Sequence, residues 1–406
     1  MTAAYRFNPA FEAPQGSPIR ELFKYTQQPG MISFAGGYPA PSLFDAAGLA
    51  RSAATLLDSA AAACLQYGAT EGTAVLTQTL RQLTRERFGG ADPGELIVTT
   101  GSQQGFELLL RILLQAGDCV AIERPCYPAA IQALRLVHAD LLEIPGDAQG
   151  MDTDALEAAL QAGARPKMLY LVPTFANPTG ATLPLARRRH LLSLAVRYQF
   201  IVVEDDPYGE LRFSGQAEPP LLQVAQEIEG ASDWLVYLSS LSKTVAPGLR
   251  IGWMCGPAEI LRRAVIAKQT GDLCTAPWMQ MVAAHYLQAG CLQAHLPAII
   301  ATYRERCRIM LASLKEAFGD SLDLIAPEGG MFIWASWKDG TDATALLQQA
   351  VRHNVMYVPG SAFYGSAADA GHWRLSFANA QPEDIVEGVA RLKKAQQEWK
   401  AAKSAA

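Results

Sequence analysis

FIVVEDDPY at residues 200–208 and WLVYLSSLSKT at residues 234–244 share one design, an apolar run rich in β-branched residues that ends in a cluster of polar groups. A run that is apolar on both faces suits a strand covered on both sides, as in a parallel sheet between layers of helices. Similar runs stand at 96–100, 119–122, 168–172 and 251–254, mostly separated by segments of helical spacing such as 183–198. Strands alternating with helices predict an α/β fold with a mainly parallel sheet and helices on each side. No period of 20–50 residues repeats.

The pattern changes after Pro257. Helices are expected at 259–268, 276–289 and 297–318, then a strand at 330–335, a helix near 342–353, two more strands and a closing helix at 383–400. This second region reads as a smaller α+β lobe. The expected division is an N-terminal arm and part of the small domain at 1–42, a large domain at 43–257, and long helices with the rest of the small domain at 258–406. The arm is rich in turn formers, among them Pro14, Gly16, Pro18, Gly36, Gly37 and Pro41.

The 406 residues suffice for two to three domains; half are hydrophobic and 18% charged, as in a globular protein. The net charge is −5 and no basic run is present, so neither nucleic acid nor a membrane surface is an expected partner. The longest uncharged stretch, 273–297, is broken by Pro277, Gln280, His285 and Gln288 and falls short of a membrane span. The first seventeen residues carry Arg6 and no apolar core of a signal peptide, so a cytoplasmic location is expected. Seven scattered cysteines, never in a C-x-x-C pair, indicate neither a disulfide framework nor a zinc site.

Ligands of open α/β sheets sit at the carboxyl ends of the strands. After 96–100 comes GSQQG (101–105), opening a helix whose first N–H groups and positive dipole end can hold a phosphate, or serve as an ordinary cap. After 168–172 comes NPTG (177–180), which also reads as a plain turn. Glu204, Asp205 and Asp206 follow 200–203, either as an acidic loop facing water or as buried carboxylates that need a compensating cation. Lys243 follows 234–238 in a turn with Ser240 and Ser242, and Arg250 stands seven residues on. The lysine is a solvated charge or a nucleophile; the hydroxyls and the guanidinium can coordinate a phosphate dianion. Neither nucleotide fingerprint, G-x-x-x-x-G-K-[ST] or G-x-G-x-x-G, occurs. A phosphate anchor, a lysine amine, an acid for a pyridinium nitrogen, and an Asn and a Tyr for a phenolate oxygen are together what pyridoxal 5′-phosphate requires.

The sequence resembles the class I/II aminotransferases, enzymes of the fold type I pyridoxal-phosphate group. The likeness rests on SFAGGYPAP (33–41), YGATEG (67–72), TTGSQQG (99–105), NPTG (177–180), EDDPYGELRF (204–213), SLSKTVAPGLRIGW (240–253) and WRLSFA (373–378). Within that family it is most similar to the 2-aminoadipate and kynurenine aminotransferases and to the catalytic domain of MocR-type regulators. The resemblance implies a three-layer αβα large domain, a smaller α+β domain, pyridoxal 5′-phosphate as cofactor, and a homodimer with shared active sites.

Carried over residue by residue, it implies that Lys243 bonds to the cofactor and later moves the proton at the substrate Cα, with a pKa well below that of a free lysine. Asp205 pairs with the pyridinium nitrogen, and Asp206 points to the other side of the strand end. Asn177 and Tyr208 donate to the phenolate oxygen. Ser102, Gln103, Ser240, Ser242 and Arg250 hold the phosphate, joined by Tyr67 from the second subunit. Tyr127 stacks on the ring or is a core aromatic. Arg374 grips the substrate α-carboxylate or pairs with an acid of the protein itself. Gly37 and Tyr38 lie near the substrate, and Arg20, within the stretch 17–22, receives a distal carboxylate or is a surface arginine on the arm.

The implied reaction moves an amino group from an L-amino acid of aminoadipate, aromatic or branched-chain type to a 2-oxo acid, with 2-oxoglutarate expected, by ping-pong turnover. A lyase or decarboxylase on the same fold would share nearly every cofactor residue. A MocR-like sensor would need a DNA-binding domain, and only about forty residues precede the large domain, too few for a module of about 50.

Overall fold

An eight-stranded sheet lies at the centre of the computed structural model, which describes residues 5–11, 16 and 18–404. Pro14 and Ser17, assigned above to the arm and its helix, lie outside the described residues. In chain order the strands are β1 (Glu95–Thr99), β2 (Cys119–Arg124), β3 (Asp140–Asp147), β4 (Gly150–Met151), β5 (Met168–Leu171), β6 (Ile201–Asp205), β7 (Leu235–Ser240) and β8 (Gly252–Gly256). Their spatial order is β1-β8-β7-β6-β5-β2-β3-β4. All pairs from β7 through β3 are parallel, while β8 runs antiparallel to β7 and β1, and β4 turns back on β3. The reversal at β8 has a simple cause. Residues 241–251 are too few for a crossover, which takes a dozen or more, so the chain must turn straight back. That short turn carries Lys243 and Arg250.

Alternate residues of each strand enter two apolar cores, one on each face of the sheet. Ile201 and Val203 belong to one, with Ile122, Tyr170 and Leu238; Val202 belongs to the other, with Ala121, Leu169 and Tyr237. Six strands match the apolar runs. β3 escaped the sequence reading because it lies near the sheet edge, half exposed, and its DLLEIPGD lacks the continuous apolar run of a strand covered on both faces.

A separate four-stranded antiparallel sheet runs in the order β9-β10-β12-β11, from β9 (Leu322–Ile325), β10 (Phe332–Trp337), β11 (Val358–Pro359) and β12 (His372–Ser376). The N-terminal segment is tied to this lobe: Ile32–Ser33 pairs in parallel with Val355–Met356, Phe34 is fully buried, and its carbonyl accepts from Ser376 N at 2.7 Å. The helix expected from Pro297 begins at Cys291 and passes through the proline to Phe318. Proline forfeits one backbone hydrogen bond there, and the buried stripe of Leu292, Ile299, Tyr303, Cys307 and Met310 holds the helix regardless. Among the described residues no helix is long and apolar enough to cross a membrane, and no group of side chains could hold a metal ion.

Candidate active site

The three successive carboxylates of β6 and its end are buried, not an acidic loop in water. Strand alternation separates them. Glu204 accepts from Leu221 N and Leu222 N at 3.0 and 3.2 Å, and Asp206 accepts from Arg87 Nη2 at 2.6 Å and Gly209 N at 3.0 Å. Both are thus satisfied by the protein. Asp205 faces the opposite way, where the Tyr170 hydroxyl donates to its Oδ2 at 2.7 Å and its Oδ1 is buried with no hydrogen-bond partner. Burial pushes the Asp205 carboxyl up to about 6, against the lowering effect of the Tyr170 hydrogen bond. An orphaned, buried carboxylate oxygen is costly in a protein interior unless a donor arrives from elsewhere.

Lys243 lies in the turn after β7, and its Nζ donates to the carbonyl of Gly37 at 2.9 Å. Burial, then the nearby Arg374 guanidinium, pulls its pKa down to about 8, with Asp205 opposing and Arg250 assisting. About a fifth of the amine is therefore neutral near physiological pH, far more than of a free lysine, and the neutral form is the one a nucleophile requires.

Beside the lysine, the helix Ser102–Leu113 starts from Gly101, whose φ of +81° favours glycine and which offers no side-chain cap to the first N–H groups. Arg250 lies against this terminus, donating from Nη2 to Thr100 O at 2.9 Å; a Cβ on Gly101 would fall 2.7 Å from that nitrogen. Gly252 permits the same close approach from the other side, since a Cβ there would lie 2.5 Å from Gly101 C and 2.6 Å from Ser102 N. Ser240 Oγ and Ser242 Oγ are 2.7 Å apart. Unspent N–H groups, two hydroxyls and a guanidinium thus surround one small space, a cup for a phosphate. Gln104, which the sequence reading passed over, braces it: its Oε1 accepts from Thr100 N, and its Nε2 donates to Asp272 Oδ2, which Lys268 also holds.

Arg374 on β12 is fully buried. Its Nη1 donates to Asn177 Oδ1 at 2.7 Å, its Nη2 donates to Ala35 O at 2.6 Å, and its Nε has no partner. The ion pairs among the described residues include none for Arg374, so the alternative of an internal salt bridge fails. Its guanidinium sits over the rings of Phe332 and Phe363, 4.1 and 5.0 Å from their centroids, and burial pulls its pKa down to about 10. A desolvated cation without a counter-ion is a receptor for a carboxylate brought by a ligand.

Tyr208 is buried near Asn177, edge-on to Phe332 at 5.9 Å, and burial raises its pKa. Tyr127 precedes the helix Pro128–Leu136; burial raises its pKa as well, and Asp205, Arg374, Arg20 and Arg250 all act on it. It therefore faces the same space. Arg20 also acts on Tyr38, which is 51% exposed. Gln103 is exposed at the helix terminus, and Tyr67 is 78% exposed in the loop after the helix Ala46–Leu65. Sequence reading missed Tyr170, Phe332 and Phe363, which look like core aromatics in their apolar runs. Only strand parity hinted at Tyr170, which stands on the Asp205 face.

The parts fit pyridoxal 5′-phosphate: an uncapped helix end with Arg250 for the phosphate, an orphaned acid for a ring N–H, and a lysine held part-neutral between them. A family model described as aminotransferase class I and II matches residues 43–392. The chain belongs to that family. This aminotransferase is 40% identical over 383 residues, 93% of its length and 91% of the relative's, to aromatic-amino-acid aminotransferase 1 of Thermococcus litoralis. It is equally 40% identical over 381 residues, 94% of both chains, to 2-aminoadipate transaminase of Thermus thermophilus. A crystal structure of Pyrococcus horikoshii kynurenine aminotransferase, with PMP, superposes with a TM-score of 0.92 at 39% identity, covering 97% of each chain. The aminotransferase uses pyridoxal 5′-phosphate, and the fold is that of its fold type I group.

Proposed function

We propose that this aminotransferase takes the amino group from L-amino acids of the aminoadipate, aromatic or branched-chain type and passes it to 2-oxoglutarate, as a cytoplasmic homodimer with shared active sites. The observation that carries the substrate reading is Arg374, a buried guanidinium on two aromatic faces with no acid of its own. It binds the α-carboxylate that amino and oxo acids share. Relatives named for aromatic amino acids and for 2-aminoadipate are equally similar to the chain, which supports a pocket that takes both apolar and acidic side chains. Tyr38 and Arg20 stand at its mouth, an exposed ring and an exposed cation that suit the two types in turn.

When bound, pyridoxal 5′-phosphate supplies an aldehyde that bonds to amines and a ring that stabilises negative charge at the substrate Cα. The chain does the rest. Ser102, Gln103, Ser240, Ser242 and Arg250 hold the phosphate, with Tyr67 of the partner subunit. Asp205 keeps the ring nitrogen protonated through Oδ1. Asn177 and Tyr208 bind the phenolate oxygen, and Tyr127 covers the ring. Arg374 and Gly37 orient the substrate, and neutral Lys243 Nζ takes the proton from its Cα. In the second half the same nitrogen returns a proton to the Cα of the product formed from the oxo acid. Donor and acceptor share one pocket, so kinetics are ping-pong. The same reading keeps 43–257 as the cofactor domain, 1–42 as the arm and part of the small domain, and 258–406 as long helices with the rest of the small domain; of these helices, Ala258–Gly271 and Pro277–Gln288 pack against helices of the large domain.

The test mixes purified holoenzyme with glutamate, 2-aminoadipate, kynurenine, leucine and phenylalanine in turn and follows the visible band of the lysine-bound cofactor. Rapid loss of the band with both aminoadipate and an aromatic donor is expected. No reaction with any of the five would refute the substrate class. A 2-oxo acid released catalytically without an acceptor would favour a lyase.

A further inference from the structure

Tyr170 is a buried polar side chain on the strand beside that of Asp205. It pairs in register with Val203 across the parallel β5 and β6, two residues short of Asp205, so both side chains rise from one sheet face as diagonal neighbours. The two are 1% and 7% exposed, and the hydroxyl donates to Oδ2 at 2.7 Å. The ring packs on Phe106 at a centroid distance of 4.6 Å. Packing alone would be served as well by phenylalanine. The oxygen is what sets this residue apart.

We propose that Tyr170 is a positioning residue for the cofactor: by occupying Oδ2 it leaves Oδ1 as the sole acceptor for the ring N–H, and it keeps the carboxyl ionised. The inference rests on the assignment of Asp205 to the ring nitrogen. A carboxylate free to rotate would share its charge between two directions; one held by a buried donor presents a single lone-pair set. The charge state follows the same logic. Burial and the adjacent Asp206 favour the protonated acid, while the Tyr170 and Ser102 hydroxyls and the Lys243 amine favour the carboxylate. Tyr127, Tyr208 and Cys126 also face it, but their own pKa values are raised and they stay neutral at working pH. Removing the Tyr170 hydroxyl therefore raises the pH at which Asp205 takes up a proton. A protonated Asp205 is no longer the anion that pairs with a pyridinium.

The experiment measures the affinity of the full chain, stripped of cofactor, for pyridoxal 5′-phosphate between pH 5 and 9. It compares wild type with Tyr170→Phe, Phe106→Leu and Asp205→Asn. Tyr170→Phe is expected to weaken binding about tenfold near pH 6, the scale of a hydrogen bond to a charged group, and to move the acidic limb of the profile upward. Phe106→Leu disturbs the packing but keeps the hydroxyl, and should leave the position of that limb unchanged. Asp205→Asn should weaken binding and abolish the limb. If Asp205→Asn behaves so while Tyr170→Phe matches wild type in affinity and profile, the role of Tyr170 is refuted. A limb displaced as far by Phe106→Leu as by Tyr170→Phe would reduce Tyr170 to packing and refute it equally. If Asp205→Asn itself binds as wild type does, the ring-nitrogen assignment falls, and the inference with it.

Discussion

Asp205 and Lys243 are both displaced toward neutrality by burial, which makes each costly to the empty protein and useful to the loaded one. The folded pKa of Asp205, about 6, lies above the ordinary value of 3.8, so between these the folded state binds a proton that the unfolded state lacks, and stability falls as pH rises through that window. Above pH 6 the full cost stands, on the order of 3 kcal/mol at 1.36 kcal/mol per unit. Asp205→Asn removes it. The cofactor-free variant should melt about 2–5 °C higher than wild type at pH 7.5 in calorimetry, while holding pyridoxal phosphate less well. An unchanged or lowered melting temperature would contradict the burial of an uncompensated charge. Lys243, lowered from 10.5 to about 8, has the opposite consequence for kinetics. The stripped enzyme should capture pyridoxal phosphate faster as pH rises, levelling off above about 8, as stopped-flow absorbance would record. Arg374 is the third such residue. Arg374→Lys keeps a charge but loses the planar fork, and should lower kcat/KM for every amino donor by about a hundredfold.

The turn between β7 and β8 sets the geometry of the site because it brings Lys243, Arg250 and Gly252 against the first turn of the helix Ser102–Leu113. A Cβ on Gly252 would collide with backbone atoms of Gly101 and Ser102, which cannot swing aside as a side chain can. Gly252→Ala should therefore weaken pyridoxal phosphate binding by tenfold or more and destabilise the chain by about 1–3 kcal/mol, the range for overpacking. Gly248→Ala, on the same turn with nothing within 4 Å of its Cβ position, should match wild type in both cofactor titration and thermal melting. At this scale the sequence was most readable. Buried strands announce themselves as apolar runs, and the polar residues after them, Asp205, Lys243 and Asn177, fall at or just past strand ends by the same pattern. Partners far apart in the chain could not. Arg374 finds Asn177 across 197 residues and Tyr170 finds Asp205 across 35, and no local pattern encodes which aromatic in a run carries a working hydroxyl. The helix through Pro297 shows the same limit, because its buried stripe outweighs a local signal for a start.

A net charge of −5 tells nothing of a molecule that concentrates Lys243, Arg250, Arg374 and a helix N-terminus in one cleft. The cleft draws on distant parts of the chain: the N-terminal segment gives the carbonyls of Ala35 and Gly37, the large sheet gives Asp205, the turn after β7 gives Lys243, and the small sheet gives Arg374. Tyr67 is the assigned residue that this assembly leaves outside, 78% exposed on a loop, as a residue lent to a second subunit would be. Two damaged chains test the lending. In a heterodimer of Lys243→Ala with Tyr67→Ala, purified through two different tags, a site that borrows its tyrosine contains the intact lysine of one chain and the intact tyrosine of the other. That site is wild type, and its companion carries both lesions. The heterodimer should show about half the wild-type turnover, at one sound site of two, with wild-type affinity for pyridoxal phosphate. Were Tyr67 to serve its own chain, the site with a working lysine would always lack its tyrosine. Affinity would then match the Tyr67→Ala homodimer, weaker by about tenfold or more for a lost hydrogen bond to a charged phosphate.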